Sequence, residues 1–127
     1  MKLLLDTHSL IWFLNGDEKL SRKVKMAIEN PENEKFISVG SIWEIAIKIS
    51  LDKFRFSKGF NHFLTLIEEN GFAMIPITVE HALILSTLEF IHRDPFDRLL
   101  ISQCKADNLV LATIDENIKK YQIKTIW

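Results

Sequence analysis

The chain has 127 residues, 47% of them hydrophobic, with 16 basic and 17 acidic side chains and a formal net charge of −1. That fits one domain, residues 1–127, with enough apolar surface for a core, and it excludes a generally basic nucleic-acid coat while leaving room for a local basic groove. The single cysteine, Cys104, excludes an internal disulfide; no stretch approaches the ~20 apolar residues of a membrane span; and Asp6 interrupts the first apolar run too early for a signal peptide, so a soluble cytoplasmic domain is expected.

The elements alternate along the chain. "KLLLD" is a short, continuously apolar strand. "THSLIWFLN" has helical spacing and stops at Gly16. "LSRKVKMAIEN" repeats Leu20, Val24, Ala27 and Ile28 at helical intervals and ends before Pro31. "KFISV" is a second strand and "SIWEIAIKISL" a helix apolar nearly all round. "FNHFLTLIEEN" is a helix closed by Gly71, and "FAMIPI" a third strand. "TVEHALILSTL" begins on Thr78, a good N-cap. "DPFDRLLISQCKADN" starts with Asp94 as cap and Pro95 at the first helical position. "LVLATI" is a fourth strand, and "IKTIW" a short fifth. Strands separated by helices imply a parallel sheet buried on both faces, with ligands held beyond the carboxyl ends of the strands.

Four acids draw notice. Asp6 follows the first strand and Asp115 the fourth; each suits a helix cap and equally suits a ligand site at the sheet edge. Glu44 belongs to a narrow polar stripe with Ser41 and Lys48, where a helical pair with Lys48 is the simple reading. Asp97 falls in the first turn of its helix, where it either favours the helix dipole or projects to the sheet edge. Four carboxylates near one edge repel one another and raise their pKa values. A divalent cation removes that penalty, and an all-oxygen donor set suits Mg²⁺ or Mn²⁺ rather than zinc.

In this order "LLLDTHSLIWFL", "SVGSIWEIAIKISLDKF", "ITVEHALILSTL", "HRDPFDRLLISQ" and "LATIDENIKKY" resemble the PIN-domain nucleases, and within them the VapC-like toxins of bacterial toxin–antitoxin pairs. The resemblance covers essentially the whole chain. It implies a PIN-like α/β/α sandwich of three layers around a parallel sheet of four to five strands. It also implies that Asp6, Glu44, Asp97 and Asp115 are the metal-binding catalytic acids, with Asp94 as the alternative to the favoured Asp97 and with Thr7 and Thr113 as supporting hydroxyls. The activity implied is Mg²⁺-dependent endonucleolytic cleavage of RNA, with Mn²⁺ as a substitute. The partners implied are a cognate antitoxin protein and a second copy of the chain.

Other readings compete. A receiver-like Mg²⁺-binding signalling domain has similar size and topology, but it needs an acidic pair after the first strand, where Thr7 and His8 stand here. A non-catalytic interaction module would not need the full acidic set. Four scattered glycines make no phosphate-cradling loop. Two basic clusters, Lys19–Arg22–Lys23–Lys25 and Lys48–Lys53–Arg55–Lys58, read first as solvated faces. Arg98 suits a substrate phosphate or a site carboxylate. His8, His62, His81 and His92 read as surface or capping residues, and Cys104 as a core residue. Trp12, Phe13, Trp43, Phe54 and Phe56 suit a groove for a partner helix.

Overall fold

The computed structural model describes residues 1–127. In chain order it contains β1 (Lys2–Leu5), α1 (Thr7–Asn15), α2 (Arg22–Glu29), β2 (Glu34–Ser38), α3 (Val39–Ser50), α4 (Phe60–Glu69), β3 (Ala73–Ile75), α5 (Val79–Ser86), α6 (Pro95–Asp107), β4 (Val110–Ala112), α7 (Glu116–Lys119) and β5 (Thr125–Ile126). The strands form one sheet in the order β3-β2-β1-β4-β5, and every pair is parallel.

Alternation along β1 divides the core in two, because successive strand side chains point to opposite faces. Leu3 and Leu5 join Leu10, Val24, Ile28, Ile45, Phe63 and Ile67 beneath α1–α4. Leu4 packs on the opposite face with Leu100, Ile101, Cys104, Ile118 and Tyr121 from α6, α7 and the segment beyond it. The result is the expected three-layer sandwich. Crossovers from β1 to β3 cover one face; after the chain returns to the other side of β1, the crossovers cover the second. The order reverses between β1 and β4, and at such a point the helices diverge and leave a crevice beyond the strand ends.

Caps set most element boundaries. Gly16 closes α1 in the left-handed region with φ 65°, a conformation that costs little only without a Cβ. Ser21 and Thr78 cap α2 and α5, and Asp94 accepts from the N–H groups of Phe96 and Asp97 to start α6.

Three expectations need adjustment. α3 begins at Val39, directly on the end of β2, so that Ser38 acts as both last strand residue and cap. β4 stops at Ala112, because the Thr113 hydroxyl accepts from Asp115 N–H and bends the chain into the cap of α7. β3 is not buried on both faces: it lies at the sheet edge, with Ala73 and Met74 exposed, and Pro76, which lacks an N–H, follows it at once. At the carboxyl edge α3 and α6 meet closely, since Leu99 of α6 occupies the space that a Cβ on Gly40 would need. That contact sets the first turn of α3 against the second turn of α6.

Candidate functional site

The register brings the sequence-predicted acids to one edge. Leu5 pairs with Ile37 and with Ala112, so Asp6, Ser38 and Thr113, each the next residue along, stand level at the strand ends. A connection between parallel strands returns its helix antiparallel to them, so α3 and α6 start at this same edge, with Glu44 and Asp97 in their first two turns.

Asp6 caps α1 and is only 7% exposed. Its Oδ1 accepts from Ser9 N–H at 2.8 Å. Burial raises its pKa, partly offset by hydrogen bonds from the Thr113 hydroxyl and from Ser9 and by the charge of His8. Thr113 is itself fully buried and accepts from Asp115 N–H at 3.1 Å. One hydroxyl therefore ties Asp6 to the backbone of Asp115, whose Oδ1 caps α7 through Asn117 and Ile118.

Glu44 is tied to the same region by the neighbour of Asp6: the Thr7 hydroxyl donates to Glu44 Oε1 at 2.7 Å. Its other oxygen meets Lys48 Nζ at 3.1 Å, the helical pair that the spacing allowed. Because Lys48 is 42% exposed, the pair contributes little to stability. Lys48→Met is expected to change the unfolding free energy by no more than about 0.5 kcal/mol, as read by urea denaturation.

Asp97 has the clearest electrostatic signature. Desolvation comes first, then the negative charge of Asp94 and more weakly that of Asp115; His92 opposes them, and the net effect raises its pKa to about 6. Asp97 Oδ2 faces His92 Nε2 at 3.1 Å. Asp94 is occupied as a cap, with Oδ1 2.9 Å from both N–H groups it receives.

The structure thus links Asp6, Glu44 and Asp115 through Thr7 and Thr113 and sets Asp97 within the field of Asp115. It does not close them into a cage: no three His, Cys, Asp or Glu side chains stand as a ready metal-binding group. Each acid has a local partner: Ser9 for Asp6, Thr7 and Lys48 for Glu44, His92 for Asp97, and the start of α7 for Asp115. The donor chemistry nevertheless fits a hard cation, being all carboxylate and hydroxyl oxygen. Ser41 Oγ, buried on the polar stripe of Glu44, has no hydrogen-bond partner, which also fits a polar occupant.

Several side chains fall elsewhere than the sequence suggested. Arg98 does not reach the site: it is 5% exposed and donates to the carbonyls of Leu88 and Glu89 and to the Tyr121 hydroxyl, with its guanidinium 4.0 Å from the Phe90 ring centre. His92, read as a surface or capping residue, touches Asp97 and Tyr121. The short spacing in "HRDPFD" left His92 within reach of Asp97, but no capping rule singled out that contact. His81 is a capping residue but a buried one, bonded to Thr78 and to Asp107. Cys104 is in the core, where burial pushes its thiol up to about 12. The five aromatics do not line one groove. Phe54 and Phe56 line a groove of about 730 Å³ with Leu14, Arg55, Lys58 and His62; Trp12 and Phe13 border a separate hollow beside Leu20; and Trp43 is 66% exposed on α3.

A five-stranded parallel sheet with acids and threonine hydroxyls at its carboxyl edge defines an α/β domain built to hold a polar ligand outside the strands. The chain belongs to the PIN-domain family, whose profile matches residues 3–124. No curated protein sequence matches it significantly. Among solved structures it is similar to VapBC2 from Rickettsia felis bound to a promoter DNA fragment, at TM-score 0.74 and 16% identity over 100% of this chain and 99% of that one. It is also similar to VapBC-1 from nontypeable Haemophilus influenzae (TM-score 0.70, 18% identity, 99% and 97% covered). FitAcB from Neisseria gonorrhoeae follows (TM-score 0.64, 18% identity, 98% and 96% covered). No helix is long and apolar enough to cross a membrane.

Proposed function

We propose that this chain is a Mg²⁺-dependent endoribonuclease, with Mn²⁺ as a substitute, and the toxin of a toxin–antitoxin pair. The observation that carries this reading is the gathering at the carboxyl edge, where Thr7 holds Glu44 beside Asp6, Thr113 joins Asp6 to Asp115, and the charges of Asp94 and Asp115 bear on Asp97, an all-oxygen set whose mutual repulsion a cation would relieve. Asp6, Glu44, Asp97 and Asp115 would hold the ion. When bound, Mg²⁺ would polarise a water and offset charge on the phosphodiester. The chain's own residues supply the rest. Ser9 N–H and Thr113 hold the buried Asp6 carboxylate, Thr7 holds Glu44, and His92 holds Asp97. An opposite charge beside Asp6 and Asp97 would favour the ionised forms that burial disfavours. Exposed cations on the two basic clusters suit the RNA backbone.

The toxin role is supported by similarity to toxin–antitoxin assemblies such as the VapBC complexes. The groove floored by Phe54, Phe56 and Phe63 and bordered by Arg55 and Lys58 suits a partner segment with apolar anchors and acidic flanks. Self-association is supported by Trp43, Val79 and Leu83, which are 66%, 78% and 65% exposed on α3 and α5. Light scattering on the isolated chain is expected to give twice the 14.8 kDa monomer mass; a monomer at micromolar concentration contradicts the dimer.

Incubation with mixed cellular RNA is expected to give discrete cuts with Mg²⁺ or Mn²⁺ and none with a chelator. Cleavage that persists in chelator, or no cleavage with either metal, overturns the assignment.

A further inference from the structure

Tyr121, just after α7, is 4% exposed, and its hydroxyl is the most crowded polar atom near the site. It receives the N–H of Ile91 at 3.3 Å, the N–H of His92 at 3.2 Å and Nη1–H of Arg98 at 3.0 Å. A phenol oxygen offers two lone pairs and one proton. Three donors already saturate its acceptor side, so its own proton must be given away. Two acceptors lie in reach: His92 Nδ1 at 3.0 Å and the His92 carbonyl at 3.4 Å. Distance selects Nδ1.

A ring nitrogen that accepts carries no proton, so the proton of a neutral His92 sits on Nε2. Nε2 faces Asp97 Oδ2 at 3.1 Å. The other tautomer would set Nδ1–H against an oxygen already facing three donors and a bare Nε2 lone pair against a carboxylate. Both ends of the ring therefore favour the same form.

We propose that Arg98, Tyr121 and His92 form a hydrogen-bonded relay that locks His92 as the Nε2–H tautomer and thereby fixes the orientation of the Asp97 carboxylate. Arg98 sets the direction of the phenol, the phenol sets the proton on the imidazole, and the imidazole holds Oδ2 and leaves Oδ1 for the site. His92 and Tyr121 are positioning residues. The relay's purpose rests on the reading of Asp97 as a metal-holding acid. Partners that orient metal-binding side chains typically contribute 10–100-fold in affinity.

The test uses the full chain. Imidazole ¹⁵N–¹H spectra of the metal-free protein report the tautomer, Mn²⁺ titration followed by electron paramagnetic resonance reports affinity, and denaturation checks that each variant is folded. His92 is expected to carry its proton on Nε2 in the wild type and to lose that preference in Tyr121→Phe. Tyr121→Phe and His92→Ala are expected to weaken Mn²⁺ by about 10–100-fold, and His92→Gln, whose amide N–H can still donate, to recover part of the loss. His92 lies in a loop with its side chain 12% exposed, so His92→Ala serves if Tyr121→Phe fails to fold. A wild-type proton on Nδ1, or folded variants that bind Mn²⁺ as tightly as the wild type, overturns the relay alone. A wild type with the expected tautomer that binds no Mn²⁺ overturns the metal reading, and the relay's purpose with it.

Discussion

Asp97→Asn is expected to abolish RNA cleavage and, in chelator at neutral pH, to make the fold more stable. The two effects have one cause. Asp97 is raised from its ordinary 3.8 to about 6, first by burial and then by Asp94 and Asp115. A folded-state pKa above the unfolded value means that the ionised acid opposes folding. That penalty is full above about pH 6, shrinks as pH falls, and is gone below about 3.8. Its ceiling is about 3 kcal/mol. Because 24% of the side chain meets solvent, about 1–2 kcal/mol is expected after screening. Asparagine removes the charge and can still accept from His92. Thermal unfolding in chelator should therefore show Asp97→Asn above the wild type at pH 8, with the gap closing towards pH 4. Loss of a directly metal-holding acid should exceed the 10–100-fold cost of losing an outer partner, so cleavage should fall by more than about 100-fold. A variant that cuts RNA at the wild-type rate, or is less stable than the wild type at pH 8, contradicts this account of Asp97.

Arg98→Ala is expected to cost about 2–4 kcal/mol of stability, through lost donors and lost packing together. Arg98 has no carboxylate partner; its charge is met by the carbonyls of Leu88 and Glu89, the Tyr121 hydroxyl and the face of Phe90. Truncation takes the Arg98 donors from the Leu88 and Glu89 carbonyls, leaves Tyr121 with only the Ile91 and His92 N–H groups, and opens a void under the loop that carries His92. Arg98→Lys should recover little, since a point charge cannot reproduce a planar fork serving divergent acceptors. Urea denaturation measures both. A loss under 1 kcal/mol for Arg98→Ala would show that the loop is held by other means.

The layered fold was legible because each level of the sequence agreed. Continuous apolar strands, helical spacing, Gly16, Thr78 and the Asp94–Pro95 start all pointed the same way. Asp6 and Asp115 read as strand-end residues or caps, Asp97 as a first-turn residue and Glu44 as part of a polar stripe, and three structural roles are real: Asp6 and Asp115 do cap helices, and Glu44 does pair with Lys48. What could not be read was which distant groups hold them. Thr7 to Glu44 spans 37 residues and Tyr121 to His92 spans 29, and no local period encodes such contacts. Arg98, which suited a phosphate or a site carboxylate but was not among the catalytic candidates, takes neither role for a related reason. Adjacency to Asp97 suggested a shared site, but neighbours along a helix diverge by about 100°, and this one turns inward. The exposed edge of β3 escaped notice because its apolar residues read the same whether a helix, another chain or nothing covers them.

Growing crystals with Mn²⁺ and locating it by anomalous scattering tests the central claim most directly. The account predicts a Mn²⁺ peak at the carboxyl edge between β1 and β4, bounded by Asp6 and Asp97, with Glu44 or Asp115 turned towards it. A protein that binds Mn²⁺ only at sites away from that edge, or leaves these acids facing their present partners with no ion among them, would contradict it.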